Sequence, residues 1–420
     1  MVNAVRAEVL VLGAGLQGTS VALELARRGV AVTLLDRDAL PMNRASLRNE
    51  GKIHLGFIYA NDRSLATAYL QLDGALRFRR MLSRWIDRDA EWLVPSAPFH
   101  YLVAGDSLVP AEQLAIHYAA VEDRCRREFE RDPELDYLGS RPQRLARPLA
   151  SGELEEFFDP ARFAAGFATA ELAVDTQVLA KRLRRAVDGC ARIRCAMSRE
   201  VRGITQVSDG FRVEGEGTDG AWCIRADQVV NATWEGRAAL DQQLGIPPPE
   251  NLLHRLKYRV IARLPAELRG APSVSMVLGR YGDIVVRRDG TAFLSWYPAG
   301  LRGWSQTVEP PADWQPACRG EVPAAQARDI AAEILAGIDT WFPGVARSEP
   351  VLVDAGVIVA RGRSDVDDAA SALHDRSRIG VASRGGYHSV DPGKLTTAPW
   401  FALEVANRVE AIRRHGGREA

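Results

Sequence analysis

The hydrophobic pattern of the first forty residues predicts one structural unit. Residues 9–12 are all apolar, which is typical of a strand buried on both faces, and residues 30–35 are nearly as apolar. Between these segments, Leu16, Val21 and Leu25 are spaced as on one face of a helix. A strand, a helix and a second strand in this order predict a βαβ unit with parallel strands.

Three glycines and one acid give this unit a candidate chemistry. Gly13, Gly15 and Gly18 follow the first strand with the spacing G-x-G-x-x-G, in which they permit a tight turn, close approach of a pyrophosphate and close helix packing. Asp36 ends the second strand, where a carboxylate can accept hydrogen bonds from both ribose hydroxyls of an adenosine. The unit predicts a dinucleotide-binding site and leaves the identity of the dinucleotide open.

The rest of the chain alternates helical and strand-like patterns. Helical spacing of apolar residues recurs at 64–86, 111–130, 177–187, 323–342 and in the segment after Thr396. Strand-like patterns occupy residues 95–103, 191–195, 200–206, 210–214, 221–226, 227–233, 256–264, 273–278, 283–288, 291–297, 351–360 and 377–382. Residues 132–167 are rich in proline and charge and predict loops with short strands.

A chain of 420 residues predicts two domains. Nucleotide-type strands return only near 190–233 and 377–386, so the first domain is expected to be discontinuous. We expect a mixed α/β fold with a Rossmann-like domain from 1–90, 165–245 and 350–420. The segments 91–164 and 246–349 are expected to form a substrate domain with a large antiparallel or mixed sheet.

Composition narrows the function classes. The formal net charge is zero and the isoelectric point is near 7.1, which argues against a nucleic-acid partner and against attraction to a membrane surface. No apolar run is long enough to span a bilayer, and the short segment before the first strand leaves no room for a signal peptide. Five cysteines without a C-x-x-C pair argue against a metal site and favour a reducing, cytoplasmic location.

Several segments together resemble a known superfamily. The opening unit, Ala173–Asp175, the strand 226–233 and the segment 380–387 resemble the D-amino-acid-oxidase-type FAD oxidoreductases. The loop 46–59, with Ile-His-Leu-Gly and a nearby tyrosine, resembles the corresponding loop of L-2-hydroxyglutarate oxidases and glycerol-3-phosphate dehydrogenases.

The resemblance implies an FAD cofactor along a defined path. Its adenosine would lie on Asp36, its pyrophosphate on the glycine turn and the start of the following helix, and its flavin beside loop 46–54 and the 385–397 turn. The implied FAD contacts are Gly13, Gly15, Leu16, Gln17, Gly18, Asp36, Arg37, Asn49, Gly51, Lys52, Val201, Ala232, Thr233, Gly385, Gly386, Tyr387 and Lys394.

The candidate catalytic residues are His54, Lys394, Tyr387 and Arg361. An imidazole poised near neutrality at His54 could orient substrate or accept a hydroxyl proton. It could also hold the flavin, even covalently, or bond only its own turn. Lys394 is one of only four lysines; it could stabilise the reduced flavin or assist oxygen reduction, or lie on the surface.

Other side chains are candidates for binding the substrate. A guanidinium forms bidentate pairs with a carboxylate, which makes Arg259, Arg361 and Arg384 candidate clamps for a substrate carboxylate. The aromatic candidates for the pocket wall are Tyr59, Trp296, Tyr297 and Tyr387.

The function expected from these residues and the resemblance is oxidation of a small polar molecule by hydride transfer to flavin N5. The first choice of bond is the CH–OH of a hydroxy acid or polyol derivative, with oxygen or another molecule as the final electron acceptor. The alternatives are CH–NH oxidation of an amino acid or amine, an NAD(P)H-dependent FAD monooxygenase, and an electron-carrying flavoprotein. The substrate, the pathway and the oligomeric state are left open.

Overall fold

The computed structural model describes residues 5–86 and 93–416. Its strands are β1 Val5–Leu12, β2 Val32–Leu35, β3 Lys52–Ile53, β4 Phe99–Ala104, β5 Ala146–Pro148, β6 Phe163–Thr169, β7 Leu172–Ala173, β8 Ile193–Ala196, β9 Arg199–Val207, β10 Gly210–Gly217, β11 Gly220–Asn231, β12 Leu252–Arg263, β13 Ser273–Val277, β14 Gly282–Val286, β15 Thr291–Trp296, β16 Leu301–Ser305, β17 Glu349–Arg361, β18 Gly380–Arg384 and β19 Tyr387–Asp391.

The α-helices of the described residues are α1 Leu16–Arg27, α2 Ala66–Leu82, α3 Ala111–Arg131, α4 Ser151–Glu155, α5 Thr176–Asp188, α6 Arg237–Gln243, α7 Tyr297–Gly300, α8 Gln315–Arg319, α9 Ala324–Asp339 and α10 Ala398–Gly416. The long helices fall where the apolar spacing predicts them. The expected mixed α/β class is confirmed.

The first sheet is built around the predicted βαβ unit. Its eight strands follow the order β18-β19-β11-β1-β2-β8, and β9 and β10 extend it beside β11. β1 pairs in parallel with β2 and with β11, in the register Val9 to Val32 and Leu10 to Val229. The residues of β1 from Val9 to Leu12 are fully buried, as their continuous apolar run predicts. The carboxyl ends of these parallel strands therefore meet at one edge of the sheet.

The second sheet has nine strands and is largely antiparallel. Its order is β16-β12-β15-β14-β13-β4-β6-β5, and β17 pairs with β12 from Leu252 to Arg263. β4 and β13 run parallel, although they lie far apart in the chain. β17 thus belongs to this sheet, whereas the expected division at residue 350 gives most of it to the nucleotide domain. We place that boundary of the proposed domains after β17.

A two-stranded ribbon holds the loop 46–59 between the sheets. β3 pairs with β7 through Lys52 and Ala173. The His54 amide donates to Thr396 Oγ1 at 3.0 Å, which ties the loop to the turn before α10. The Lys52 ammonium reaches Asp283 of the second sheet at 2.8 Å. The loop that carries His54 is therefore fixed both to the turn before α10 and to the second sheet.

Two strands near the end of the chain differ from the sequence prediction. The pattern predicts a strand at 377–382 and the resemblance implies a turn over 385–397, whereas the structure forms a hairpin of β18 and β19 that turns at Gly385 and Gly386. Both glycines have positive φ angles, +54° and +88°, which is why a two-residue turn forms at these positions. The segment that follows β19, rather than the glycine turn, leads toward α10.

No helix in the described ranges is long and apolar enough to cross a membrane.

Candidate active site

A cavity of about 640 Å³ opens where the carboxyl ends of the first sheet face the second sheet. It extends from the glycine turn after β1 to the residues before α10. Strands of both sheets, the loop 43–54 and the segment 366–376 contribute to its wall. Such a cleft between two sheets is a common position for a cofactor and its substrate.

The glycine turn forms one end of this cavity. A Cβ on Gly13, whose φ is +90°, would lie 2.6 Å from the carbonyl oxygen of Ala232. A Cβ on Gly15 would lie 2.9 Å from Ser46 Oγ, and the Leu16 amide donates to that oxygen at 2.8 Å. The first turn of α1 thus faces the cavity with only the Ser46 hydroxyl in front of it, and the positive end of the helix suits a pyrophosphate.

Asp36 lies at the same end of the cavity, as predicted for an adenosine-binding acid. Its carboxylate accepts hydrogen bonds from the amides of Ala14 at 2.5 Å and Asp38 at 2.8 Å. Burial raises the pKa of Asp36, and the two amides partly offset that rise. Arg37, Val201, Ala232 and Thr233 line the adjoining wall.

A network of ion pairs and hydrogen bonds links the elements around this end of the cavity. Arg44 forms two hydrogen bonds with Asp38, at 2.8 and 2.9 Å, and a further bond with Gln315 of α8. Arg37 pairs with Glu235, which follows β11. The loop after β2 is thereby tied to the turn after β11 and to a helix beside the second sheet.

Asn49, Gly51 and Gly18 shape the backbone around the cavity. The Asn49 amide group donates to the carbonyl of Ala45 at 2.7 Å, and its oxygen accepts from the Gly51 amide at 2.7 Å. A Cβ on Gly51 would lie 2.1 Å from the carbonyl of Val174, and one on Gly18 would lie 1.8 Å from the carbonyl of Gly13. Asn49 also lines the cavity, whereas the two glycines act through packing.

His54 and Glu50 form a pair in the cavity wall. His54 Nε2 lies 3.7 Å from Glu50 Oε1, while Nδ1 is buried and has no hydrogen-bond partner. Burial lowers the pKa of His54 to about 4, and Lys394 and Lys52 act in the same direction while Glu50 opposes them. His54 is therefore neutral at pH 7, with a pKa well below the near-neutral value expected from the sequence.

The Glu50 carboxylate stays ionised in this setting. Burial alone would raise its pKa, but His54 and Lys394 hold the pKa well below the ordinary value. Its side chain is 23% exposed, and Glu50 lines the cavity. The pair combines a fixed negative charge with a neutral imidazole.

Lys52 is buried behind the same wall. Its ammonium bonds to Asp283 at 2.8 Å and to Ser275 Oγ, and it lies 4.4 Å from the centre of the Phe99 ring. Burial opposes the charge of Lys52, but Asp283 and Glu171 more than offset that effect and raise its pKa. Lys52 is therefore a paired cation.

Lys394 differs from Lys52 because its ammonium has no ion pair or hydrogen bond to the described residues. It lies in the turn before α10 and lines the cavity. Burial lowers the pKa of Lys394 to about 8, and Glu50 limits that fall. An anion in the cavity would have Lys394 available as a partner.

The segment after β17 adds cavity residues that the sequence analysis missed. Arg376 is 7% exposed and donates to the Val359 carbonyl at 2.5 Å. His374 faces Tyr59 edge-on at 6.3 Å, and burial lowers the pKa of His374 to about 3. Arg255 of β12 lines the same region. With so many arginines in the chain, nothing in the sequence separates these two from the rest.

Several predicted residues lie away from the cavity. Tyr387 is buried on the first sheet, where its hydroxyl donates to Asp241 at 2.8 Å. Arg361 is directed to the Arg378 carbonyl, and Gly385 and Gly386 form the β18–β19 turn. The described cavity wall includes none of these four residues.

The candidate carboxylate clamps are also placed differently from the prediction. Arg259 lines the cavity but is held by two bonds to Asp354, at 2.6 and 3.1 Å, so its fork is already occupied. Arg384 ends the exposed strand β18. Tyr59 and Tyr297 line the cavity, whereas Trp296 packs against Gly337 and Trp341.

Among the residues that the structure describes, no group of three or more histidine, cysteine, aspartate or glutamate side chains could hold a metal ion. The start of α1, the glycine cradle and Asp36 are the groups that an adenine dinucleotide requires, and the observed cavity fits such a cofactor.

The fold is shared by several solved flavoenzymes. Glycine oxidase from Geobacillus kaustophilus is 17% identical and covers 97% of this chain and 95% of its own, with a TM-score of 0.67. L-proline dehydrogenase from P. horikoshii is 14% identical, and the match covers 98% of this chain and 94% of that one, with a TM-score of 0.65. The L-alpha-glycerophosphate oxidase of Mycoplasma pneumoniae, solved with FAD bound, is 15% identical, and the match covers 96% of this chain and 94% of that one, with a TM-score of 0.62. At these identities the likeness establishes the fold.

Curated relatives match only in part. The tRNA 5-methylaminomethyl-2-thiouridine biosynthesis bifunctional protein MnmC of Chromohalobacter salexigens is 34% identical over 158 residues, which are 34% of this chain and 22% of that protein. The MnmC of Pseudomonas putida F1 is 39% identical over 85 residues, which are 20% of this chain and 12% of that protein. The chain thus matches less than a quarter of the length of either relative.

The family comparison covers far more of the chain. The profile of the family described as FAD dependent oxidoreductase, DAO, matches residues 8–408. The superfamily resemblance drawn from the glycine turn and the later segments is confirmed by this match. The chain therefore belongs to the DAO family of FAD-dependent oxidoreductases, and FAD is its cofactor.

Proposed function

We propose that this enzyme oxidises the CH–OH carbon of a small hydroxy acid or polyol derivative. The observation that carries the proposal is the pair of His54 and Glu50 in the cavity wall. Oxidation of an alcohol carbon needs an acceptor for the hydroxyl proton as well as an acceptor for hydride. A neutral imidazole beside a fixed carboxylate suits the first of these tasks.

FAD, when bound, supplies the hydride acceptor at flavin N5. We propose that its adenosine binds Asp36 and Arg37, with the Val201 backbone beside the adenine. The pyrophosphate is proposed to lie on the first turn of α1. The remaining proposed contacts that line the cavity are Gly13, Gly15, Gln17, Asn49, Lys52, Ala232, Thr233 and Lys394.

His54 is proposed to take the hydroxyl proton on its imidazole ring. The nearby Glu50 carboxylate would stabilise the imidazolium that results, because the two groups are 3.7 Å apart. A pKa of about 4 makes His54 a weak base in the free cavity, and Lys394 contributes to that low value. A substrate carboxylate near Lys394 would cancel part of this effect and make the imidazole more basic.

Positive charge in the cavity supports an acidic substrate. Lys394 has no carboxylate partner among the described residues, and the guanidinium of Arg376 donates to the backbone carbonyl of Val359. An unpaired charge in a buried cavity is costly unless a ligand supplies the opposite charge. We therefore propose that the preferred substrate carries a carboxylate.

The main alternative is CH–NH oxidation on the same scaffold. The curated relatives are named for the biosynthesis of a methylaminomethyl group in tRNA, and an aminomethyl group contains a C–N bond. A net charge of zero speaks against binding of a nucleic acid by bulk electrostatics. The experiment that tests the proposal must therefore separate alcohol from amine substrates.

Matched substrate pairs make this separation. Glycolate and glycine, lactate and alanine, and malate and aspartate share their carbon skeletons and differ in the group that is oxidised. We expect the purified holoenzyme to reduce a redox dye with at least one hydroxy acid and to release no ammonia. Faster dye reduction by the amino acids, with ammonia release, would refute the CH–OH assignment. Reduction by NADPH alone would favour the monooxygenase alternative.

A location in a reducing compartment such as the cytoplasm is also a proposal. It is supported by the five cysteines of the chain, all of which are free thiols.

A further inference from the structure

A buried carboxylate lies behind the cavity wall without lining it. Glu171 is in the bend between β6 and β7, and none of its surface is exposed. The described residues that line the cavity do not include it. A buried carboxylate is costly unless its oxygens are bonded and its charge is balanced. The partners of Glu171 therefore indicate what this residue holds in place.

Both carboxylate oxygens of Glu171 accept hydrogen bonds. Oε2 accepts from the backbone amide of Leu55 at 2.7 Å, and Oε1 accepts from the hydroxyl of Tyr101 in β4. Leu55 directly follows His54 in the chain. The carboxylate thus fixes the backbone immediately after the candidate proton acceptor.

The backbone before His54 is held from the same side. The Tyr137 hydroxyl donates to the carbonyl of Ile53 at 2.7 Å and accepts from the amide of Leu172 at 2.8 Å. Leu172 follows Glu171 and belongs to β7, which pairs with β3. A set of buried donors and acceptors around Glu171 therefore holds the loop on both sides of His54.

Glu171 also acts on the charge of Lys52. Burial opposes that charge, whereas Asp283 and then Glu171 raise the pKa of Lys52. Burial raises the pKa of Glu171 itself to about 6, and Lys52, Tyr101 and the Leu55 amide limit the rise. The three groups Lys52, Asp283 and Glu171 together carry a net negative charge when Glu171 is ionised and no net charge when it is protonated.

The other titratable groups in this interior keep one charge state near pH 6. Those that interact electrostatically with Glu171 are Lys52 in β3, Tyr59 after β3, Tyr101 in β4, Tyr118 in α3, Tyr137 after α3 and Asp283 in β14. Burial raises the pKa of each of these tyrosines, so they stay neutral. Burial would raise the pKa of Asp283, but Lys52 holds it below the ordinary value. Glu171 is therefore the member of this set whose charge changes near pH 6.

We propose that Glu171 is a positioning residue of the active site, which fixes the backbone beside His54 and sets the net charge around Lys52. Both of these side chains line the cavity, and Glu171 acts on the reaction through them. Reduction places negative charge on a flavin. An ionised Glu171 behind Lys52 opposes that charge and lowers the reduction potential of the bound FAD.

This inference rests on the proposed function only in placing His54 and Lys52 beside the reaction. Its tests use the holoenzyme without any substrate. A refuted choice between alcohol and amine would therefore leave the role of Glu171 standing, and a refuted role of Glu171 would leave that choice open.

The first test compares the flavin midpoint potential of the wild type with that of Glu171→Gln, by equilibration with a reference dye from pH 5 to pH 8. At pH 8 the potential of the variant should be higher by about 30 mV, which is about a tenfold shift of a two-electron reduction equilibrium. At pH 5 the two potentials should agree, because Glu171 of the wild type is then protonated. Equal potentials at pH 8, or a difference that does not depend on pH, would overturn the proposed effect on charge.

Tyr101→Phe identifies the group that titrates. This variant keeps the ring but removes a hydroxyl that donates to Glu171 and lowers its pKa. The additional fall of the wild-type potential that accompanies ionisation of Glu171 should therefore occur at a higher pH in Tyr101→Phe. A fall at the wild-type pH would show that another group is responsible.

The second test measures the positioning itself, as amide hydrogen exchange of a peptide that contains residues 52–57. Glu171→Leu leaves the buried Leu55 amide without its acceptor, and exchange of this peptide should become at least about tenfold faster. The matched control is Glu128→Leu, because Glu128 is also buried but bonds to Arg131 of its own helix at 3.1 Å. Exchange that is unchanged in Glu171→Leu, or equally faster in the control, would overturn the positioning role.

Discussion

Three of the four lysines in the chain, Lys52, Lys257 and Lys394, line the candidate active site. In a protein that uses arginine for nearly all its positive charge, a lysine is informative because its charge can be tuned within the physiological pH range. Lys394 shows this tuning, since burial lowers its pKa to about 8. The rarity of lysine made Lys52 and Lys394 recognisable in the sequence.

At the residue scale, the His54 and Lys394 pKa values predict a bell-shaped pH dependence of kcat/KM. The rate should fall as pH drops through about 4, where His54 becomes protonated, and as pH rises through about 8, where Lys394 loses its charge. The acid limb belongs to the His54 and Glu50 pair, because the two groups titrate together.

Substitutions of His54 and Lys394 distinguish the acid limb of the pH profile from the alkaline limb. His54→Gln should lower kcat by about a hundredfold or more and abolish the acid limb, because no proton acceptor remains. Lys394→Arg should move the alkaline limb upward, since a guanidinium keeps its charge. An alkaline limb that stays at pH 8 in Lys394→Arg would show that another group is responsible.

Other residues of the site could not be found from the sequence. Arg255 and Arg376 are two arginines among many, and only the fold brings β12 and the segment 363–376 to one cavity. Tyr387 illustrates the opposite case: its position beside a glycine turn suggested a flavin contact, whereas its hydroxyl bonds to Asp241 and Asn231. Sequence proximity to a motif does not establish which face of a sheet a side chain occupies.

At the element scale, the βαβ unit was predictable because its pattern is local. Strand, turn, helix and acid all follow within forty residues, and Gly13 and Gly18 each lie where a Cβ would meet backbone. The strand β16 was not predicted; it is short and contains Arg302 and Gly303 at the edge of its sheet. Pairing with β12, rather than its own pattern, makes this segment a strand.

The glycine turn yields a prediction that separates folding from cofactor binding. Gly15 has an ordinary φ of −67°, and a Cβ there would meet only the movable Ser46 hydroxyl. The free energy of unfolding of Gly15→Ala should therefore stay within about 1 kcal/mol of the wild-type value. Its FAD content should fall at least about tenfold, because the added methyl group lies where the pyrophosphate would approach the backbone. The measurements are denaturant unfolding of the apoprotein and the flavin-to-protein absorbance ratio.

Two other glycines serve as controls for this variant. Gly13→Ala should fail to fold, since its Cβ would meet backbone at 2.6 Å with a φ of +90°. Gly29→Ala has open space but a φ of +86°, and should lose about 1 kcal/mol while keeping FAD. Normal flavin content in Gly15→Ala would contradict the proposed pyrophosphate position.

At the scale of the whole molecule, histidine burial predicts acid sensitivity. The pKa of each of the following described histidines is lowered by burial: His54, His100, His117, His254, His374 and His388. In the unfolded chain these histidines bind protons near pH 6.5, whereas in the folded chain they stay neutral to lower pH. The free energy of unfolding therefore falls as pH drops from about 6.5 toward 4.

Each such histidine contributes up to about 1.4 kcal/mol per pH unit within this window. Glu171 acts in the opposite direction, because burial raises its pKa to about 6 and it becomes neutral in the folded state first. The combined effect of the six histidines exceeds that of Glu171. Urea unfolding should therefore give a lower free energy of unfolding at pH 5.5 than at pH 7.5. Equal or greater stability at pH 5.5 would contradict this balance.

The arrangement of the two sheets was only partly predictable. A nucleotide sheet from separated segments followed from where the strand patterns recur, but β17 joins the second sheet through its long pairing with β12. The parallel pairing of β4 with β13 also depends on residues far apart in sequence. Such contacts are set by tertiary packing, on which local periodicity carries no information.

The measurement that tests the central claim most directly is anaerobic bleaching of the bound flavin by a matched hydroxy acid and amino acid, in the wild type and in His54→Gln. The account predicts that the hydroxy acid bleaches the flavin of the wild type at least about tenfold faster than the amino acid does. His54→Gln should lose most of that rate, because the hydroxyl proton has no acceptor. Faster bleaching by the amino acid, with a rate that is unchanged in His54→Gln, would contradict the account.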